Sequence, residues 1–303
     1  MEKIGFDMDN ITLDEVYRRG RAMLEYQNIP DAEVDALYLM ESVFGTDRTS
    51  LILHGDRQAD SELCRRFFDC INERISGRPL QYIVGTWNFM GYDFFVGEGV
   101  LIPRDDTETT VIRALELLKN YDSPKVIDLC SGSGAIAISI KKMMPNANVT
   151  ALELSPDAIG YLKKNAERNS ADITIVCGDV ATDHKNYDDN EFDMIVSNPP
   201  YIVSNQIDTL QRELSFEPRM ALDGGSDGLD FYRVITENWA SKIKPGGYLV
   251  YENGEDEHEA IAKIMLANGF TDIRYDLDLQ MFKRTTYGQA CMRLQAVRAL
   301  TFL

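Results

Sequence analysis

The segment Val126-Ile-Asp-Leu-Cys-Ser-Gly-Ser-Gly-Ala-Ile-Ala-Ile138 sets two apolar runs on either side of a turn of small residues. With Lys125, the first run is short and β-branched, which predicts a strand over 125–129. Gly132 and Gly134 let the backbone approach a ligand closely, and a helix begins after Gly134. The same alternation continues outward, with strands expected at 148–154, 173–179, 192–198 and 246–252 and a helix near 156–168. These runs are nearly apolar throughout, so both faces of each strand are expected to be covered. That predicts an α/β fold with a mainly parallel, Rossmann-like sheet between helices. Ligands of such sheets bind beyond the carboxyl ends of the strands.

Residues 1–85 read differently, as a small α-helical bundle. Thr12-x-x-Glu15 is a capping box for a first helix. Val34, Leu37, Tyr38 and Val43 suggest the apolar face of a second helix ending at Gly45, and Leu63, Phe67, Cys70, Ile71 and Ile75 that of a third. Residues 86–100 are aromatic and glycine-punctuated, which suggests a β-hairpin linker to a catalytic domain over 101–303.

Composition narrows the function. The net charge is −18, which disfavours nucleic acid as a partner. The one basic cluster, Tyr17-Arg-Arg-Gly-Arg21, reads as a solvated helix face. No run approaches the ~20 apolar residues that span a bilayer. No signal peptide is evident at the N-terminus, and the five cysteines form no C-x-x-C pair. A cytoplasmic location with reduced thiols and no membrane partner is expected. The three histidines are scattered, so no metal-ligand cluster is legible.

Acids mark the expected strand ends. Glu153 lies 19 residues past Gly134, where its two oxygens can accept from two ribose hydroxyls. Asp179 can accept from an adenine amino group, and Asp128 is expected to order the glycine turn. Together these describe an adenosine pocket. The turn alone fits two classes. A dinucleotide fingerprint tolerates Ala137, whereas Asp128-x-Cys-x-Gly-x-Gly134 resembles the first motif of class I S-adenosylmethionine (SAM) methyltransferases. In that motif Cys130 stands where glycine is usual, and a positive φ there would strain the backbone.

Ser197-Asn-Pro-Pro-Tyr-Ile202 favours the second class, because N-P-P-Y resembles the motif of methyltransferases acting on planar NH2 nitrogens. The physics agrees. The Asn198 side-chain oxygen and the Pro199 carbonyl can accept both N–H bonds of an amide and aim its nitrogen. Pro200 stiffens the turn, and Tyr201 offers a flat wall. The resemblance extends through Gly77-Arg-Pro-Leu-Gln-Tyr-Ile-Val-Gly85, Leu101-Ile-Pro-Arg-Asp-Asp-Thr-Glu108 and the segment Phe216–Leu229, in order. This succession is similar to the protein-(glutamine-N5) methyltransferases of peptide-chain release factors, the PrmC/HemK family.

That resemblance implies SAM as cofactor, S-adenosylhomocysteine as product, and methylation of the glutamine in the Gly-Gly-Gln loop of release factors, tuning translation termination. It implies substrate recognition by the helical bundle. Catalytic roles fall on Asn198, Pro199 and Tyr201, and substrate contact on these with Pro200 and Glu217. Cofactor contact falls on Arg104, Thr107, Cys130, Ser131, Gly132, Ser133, Gly134, Glu153, Asp179, Val180 and Asn198. Arg104, Thr107 and Glu108 would form either a loop closing over the site or a salt-bridged turn into a helix. Glu217 would shape the substrate entrance or brace the N-P-P-Y loop. Glu252-Asn-Gly254 resembles the family's Glu-Ile-Gly, although an exposed strand end fits as well. Asp105 replaces a usual proline. The alternatives are a ribosomal-protein glutamine methyltransferase, a DNA or RNA adenine-N6 methyltransferase, and a non-catalytic SAM-binding protein.

Overall fold

The computed structural model describes residues 10–291. They form two compact units, one made of residues up to 85 together with 212–216, the other of 86–211 and residues from 217 onward.

The smaller unit carries helices α1 (Leu13–Tyr26), α2 (Ala32–Phe44), α3 (Arg48–His54), α4 (Ser61–Ile75) and α5 (Leu80–Val84). The expected capping box opens α1: Thr12 Oγ1 accepts from Glu15 N, and Glu15 Oε2 accepts from Thr12 N at 3.1 Å. The face expected for α2 is wrong. Val34 and Tyr38 are exposed, while Ala32, Asp35, Ala36, Leu39 and Met40 are buried. Asp35 turns inward because Arg74 on α4 meets it at 2.6 Å, and Arg74 also pairs with Glu213 at 3.0 Å. A buried ion pair has no apolar signature, so the apolar periodicity of α2 does not point to its buried face. In the basic cluster, Arg18 pairs with Asp14, and Arg21 with Glu25 and Glu33.

The larger unit opens with a hairpin, β1 (Thr86–Phe89) and β2 (Tyr92–Phe95), whose Phe89 and Phe94 are buried in this unit's core. Helix α6 (Thr107–Leu118) precedes β3 (Lys125–Leu129), α7 (Ala135–Met143), β4 (Asn148–Glu153), α8 (Pro156–Arg168), β5 (Thr174–Cys177) and β6 (Phe192–Ser197). Then come α9 (Asp230–Trp239), β7 (Ile243–Glu252), α10 (His258–Ala267), β8 (Phe270–Leu277) and β9 (Lys283–Ala290). The seven-stranded sheet has the order β5-β4-β3-β6-β7-β9-β8. It is parallel from β5 to β7, with β9 antiparallel to both β7 and β8.

Side chains alternate across the sheet. Val126, Met194 and Val250 pack with α6, α7 and α8, whereas Ile127, Ile195 and Leu249 pack with α9 and α10. Both faces are therefore apolar, which is why the strands read as unbroken hydrophobic runs. The strand order reverses between β3 and β4 on one side and β3 and β6 on the other, leaving a crevice at their carboxyl ends. Cys64, Cys70, Cys130, Cys177 and Cys291 are all free thiols. No described helix is long and apolar enough to cross a membrane.

Candidate active site

A cavity partly open to solvent lies at that crevice, the usual place for a small-molecule site in such a sheet. Cys130 and Gly132 after β3, Glu153 at the end of β4, Asp179 and Val180 after β5, and Asn198 after β6 all line it. Four successive strand ends thus contribute.

The floor is the turn between β3 and α7. Cys130 adopts φ +59° and Gly132 +54°. Ser131 is buried, its hydroxyl donating to Asp128 O at 2.8 Å and to Leu152 O at 3.3 Å. Asp128 lies beneath the turn. Its Oδ2 accepts from Ala137 N at 3.2 Å, while Oδ1 has no partner. Complete burial pushes this carboxyl up to about 8. The Cys130 thiol is pushed up by desolvation and by the nearby carboxylates of Glu153 and Asp128, so it is not a poised nucleophile.

Glu153 clasps two segments. Oε2 accepts from Gly132 N and Oε1 from Ser155 N, each at 2.8 Å. A carboxylate oxygen has a second lone pair, so both remain able to accept from a bound diol. Across the cavity, Asn198 Nδ2 donates to Thr107 Oγ1 at 3.4 Å. The chain leaving Asn198 is held from outside the motif: Ile202 N donates to Leu222 O and Gly224 N to Ile202 O, each at 2.8 Å. The segment 217–228 is therefore a brace for the N-P-P-Y turn.

Residues 15–85 match the PrmC N-terminal domain family and residues 105–225 the Methyltransferase small domain family. The chain is 38% identical over 262 residues to the release factor glutamine methyltransferase of Geobacter sulfurreducens (strain PCA), covering 86% of this chain and 90% of that relative. The Koribacter versatilis protein of the same name is 32% identical over 280 residues, with 92% and 99% covered. The chain belongs to the release factor glutamine methyltransferase family. Its fold is also that of the hMettl16 catalytic domain, solved in complex with MAT2A 3'UTR hairpin 6, at TM-score 0.54 and 14% identity, with 76% and 81% of the two chains covered. At that identity the likeness concerns the fold alone.

Within the family's enzyme fold, not every expected site residue reaches the cavity. Ser131, Ser133 and Gly134 shape the turn rather than line it. Ser133 is buried, and its carbonyl accepts from Asn165 Nδ2 at 2.9 Å. Arg104 is not on the cavity wall; its guanidinium pairs with Glu217. Glu217 is itself buried and accepts from Ile102 N at 3.0 Å. Both its oxygens are engaged by the 101–104 loop, which its side chain braces. Residues 104–106 turn into α6 with Arg104 paired to Glu217 and Asp106 to Arg284; Asp106, at the N-cap, makes no side-chain capping bond, and Glu108 Oε1 accepts from Met90 N at 2.8 Å. Thr107 is buried at the start of α6 and touches the site only through Asn198.

Pro200 joins Asn198 on the wall, while Pro199 is buried and Tyr201 packs against the sheet. Burial, with Glu252 nearby, pushes the Tyr201 hydroxyl up, so it stays neutral. The wall also includes Val100, Leu101, Leu154, Met220 and Phe231, none of them singled out as a site residue above, although Leu101 and Met220 lie in the motif segments and Leu154 directly follows the strand-end acid.

Proposed function

We propose that this enzyme transfers a methyl group from SAM to the side-chain amide nitrogen of the glutamine in the Gly-Gly-Gln loop of a peptide-chain release factor. The observation that carries the reading is that one cavity joins the two strand-end carboxylates, Glu153 and Asp179, to the Asn198 side chain. Nucleoside acceptors and an amide acceptor thus share one space, in a chain of the release factor glutamine methyltransferase family.

The residues fit SAM. Glu153 accepts from the ribose hydroxyls, Asp179 from the adenine amino group, and Val180, with Leu154, supplies apolar cover for the base. Gly132 and Cys130 leave their backbone open toward the methionine part. When bound, SAM supplies an activated methyl group on its sulfonium and leaves as S-adenosylhomocysteine.

The chain's own residues then have a limited task. An amide nitrogen is a weak nucleophile because its lone pair is delocalised into the carbonyl. Accepting from its N–H bonds at the Asn198 oxygen and the Pro199 carbonyl orients that lone pair and stabilises the positive charge growing on nitrogen. No base is needed before transfer, since the proton leaves the cationic amide afterwards. We assign recognition of the release factor to the helical unit, and the cytoplasm, where release factors work, as the location.

The test is methyl transfer from labelled SAM to an unmethylated release factor, with peptide mass spectrometry locating the mark. Label on the Gly-Gly-Gln glutamine, absent from a Gln→Ala loop variant, from ribosomal protein and from duplex DNA, is expected. Label on ribosomal protein or on DNA instead would overturn the substrate assignment and leave the amide or amine chemistry standing.

A further inference from the structure

Polar side chains near the crevice are buried beyond those that line it. Glu252 at the end of β7 is 1% exposed, which excludes an exposed strand end, and Asn165 on α8 is 0% exposed. Asparagine is a weak helix former, yet Asn165 stands on the buried stripe of α8, one turn after Leu162. An amide placed there has to find its partners inside the protein.

It finds three. Oδ1 accepts from Phe95 N at 2.6 Å, while Nδ2 donates to Phe95 O at 3.1 Å and to Ser133 O at 2.9 Å. Only a side-chain amide offers an acceptor and two donors on one planar group. Asn165 thus ties together two segments that are distant in sequence, the end of β2 and the turn between β3 and α7. That turn also rests on α8 one turn earlier, where a Cβ on Gly134 would lie 2.2 Å from Leu162 Cδ1.

From Phe95 the chain follows α8 back toward the cavity. A Cβ on Gly97 would lie 2.2 Å from the Tyr161 hydroxyl, and one on Gly99 would lie 2.8 Å from Asp157 Cβ. Asn165, Tyr161 and Asp157 are spaced four apart, so one face of α8 carries the whole run. A turn with Val100 N donating to Gly97 O at 3.3 Å then delivers Gly99, Val100 and Leu101 to the cavity wall. The register of this run on the helix is set at Asn165, where both backbone groups of one residue are held.

We propose that Asn165 is a positioning residue for cofactor binding: its amide fastens the segment 95–101 to the glycine turn and so holds Gly99, Val100 and Leu101 in place beside Cys130 and Gly132. This rests on the SAM reading above for the identity of the ligand. The opposite end of β2 is fastened separately. Asn169 Nδ2 donates to Asp93 O at 3.0 Å, and Arg168 pairs with Asp93 at 2.8 Å. Neither is hydrogen-bonded to the glycine turn, which makes Asn169→Ala the control.

The test compares Asn165→Ala, Asn165→Asp and Asn169→Ala in the full-length protein. The aspartate variant keeps the size and the acceptor for Phe95 N, but sets a carboxylate oxygen against two carbonyl oxygens. Calorimetry with S-adenosylhomocysteine should show Kd raised about 10-fold in both Asn165 variants and within about twofold of the parent in Asn169→Ala. In methyl transfer, KM for SAM should rise in step, with KM for the release factor within about twofold of the parent. Without cofactor, Asn165→Ala should speed deuterium exchange about 10-fold at Gly132 N and Val100 N, which bond to Glu153 and Gly97 and not to Asn165, and Asn169→Ala should leave both unchanged. A lower melting temperature with Kd and those two amides as in the parent would make Asn165 a purely structural residue and overturn the proposal. Should the Asn165 variants fold poorly, the parent decides: S-adenosylhomocysteine should slow exchange at Phe95 N, outside the cavity lining, about fivefold or more, and no slowing there would equally overturn it. A parent that binds no S-adenosylhomocysteine would overturn the SAM reading instead, and exchange at Gly132 N and Val100 N would still judge the tie.

Discussion

Substituting Glu153 by glutamine separates its two tasks, holding the glycine turn and accepting from ligand. In the parent, each carboxylate oxygen receives one backbone N–H at 2.8 Å, from Gly132 and from Ser155. Glutamine keeps one oxygen and sets an NH2 against the other N–H, so one bond is replaced by donor facing donor. Hydrogen bonds to charged groups are worth about 1.5–3 kcal/mol, and the surviving bond loses its charge, so a cost of about 2–3 kcal/mol is expected. For a unit of this size that lowers the melting temperature by roughly 4–12 °C. Glu153→Ala removes the same bonds but opens space for water beside a cavity already in contact with solvent, so it should melt no lower than Glu153→Gln. Both variants lose an acceptor for the ribose, and calorimetry with S-adenosylhomocysteine should show affinity reduced about 10- to 100-fold. A Glu153→Gln protein that melts with the parent yet binds weakly would show that the clasp contributes nothing. One that melts lower yet binds normally would remove Glu153 from the ribose.

The two glycines of the turn should fail in different ways. A Cβ on Gly134 would lie 2.2 Å from Leu162 Cδ1 at φ +84°, so Gly134→Ala should cost about 2–5 kcal/mol by chemical denaturation, combining backbone strain with overpacking. Gly132 has nothing within 4 Å of such a Cβ, so Gly132→Ala should cost only about 1–2 kcal/mol of stability while its cofactor affinity drops out of proportion, as calorimetry would show. Asp128, raised to about 8, binds a proton in the folded state that it has lost in the unfolded state between acid and pH 8. Its contribution is thus full at low pH and is lost as pH rises toward 8. The stability of Asp128→Asn relative to the parent should therefore grow from pH 5 to pH 8 in urea titrations. Glu217→Ala leaves Ile102 N without its acceptor, so that amide should exchange with deuterium faster, with a stability loss of about 1–3 kcal/mol.

The sheet was legible because covering it on both faces demands strands without polar interruption, and Lys125–Leu129, Asn148–Glu153 and Phe192–Ser197 formed where such runs stood. The bundle was less so. Helices α3 and α5 were not anticipated, since 7 and 5 residues are too few to establish a 3.6-residue period. The buried face of α2 is not legible from apolar spacing because its inward position is held by the Asp35–Arg74 pair. Likewise, the attachment of residues 212–216 to the helical unit depends on Glu213 reaching Arg74, a long-range pairing with no local pattern.

The site divides along the same line. Residues whose backbone position alone puts them at the crevice, such as Glu153, Asp179 and Asn198, were readable from where strands end. For residues that work by bracing the sequence leaves two readings open, because a carboxylate has the same letter whether it meets a ribose, an arginine or a backbone N–H. Glu217 and Arg104 neutralise one another instead of reaching the cavity wall, and Thr107 accepts from Asn198. Cys130 is the informative exception. The strain anticipated from its place in the motif is present, at φ +59°, and a non-glycine residue there costs about 1–2 kcal/mol. That cost persists only because the surrounding contacts over-determine the turn: Ser131 tied to two carbonyls, Gly132 to Glu153, and Asp128 to the first turn of α7. A turn held at that many points stays in one conformation before any ligand arrives, so binding need not supply the ordering free energy itself.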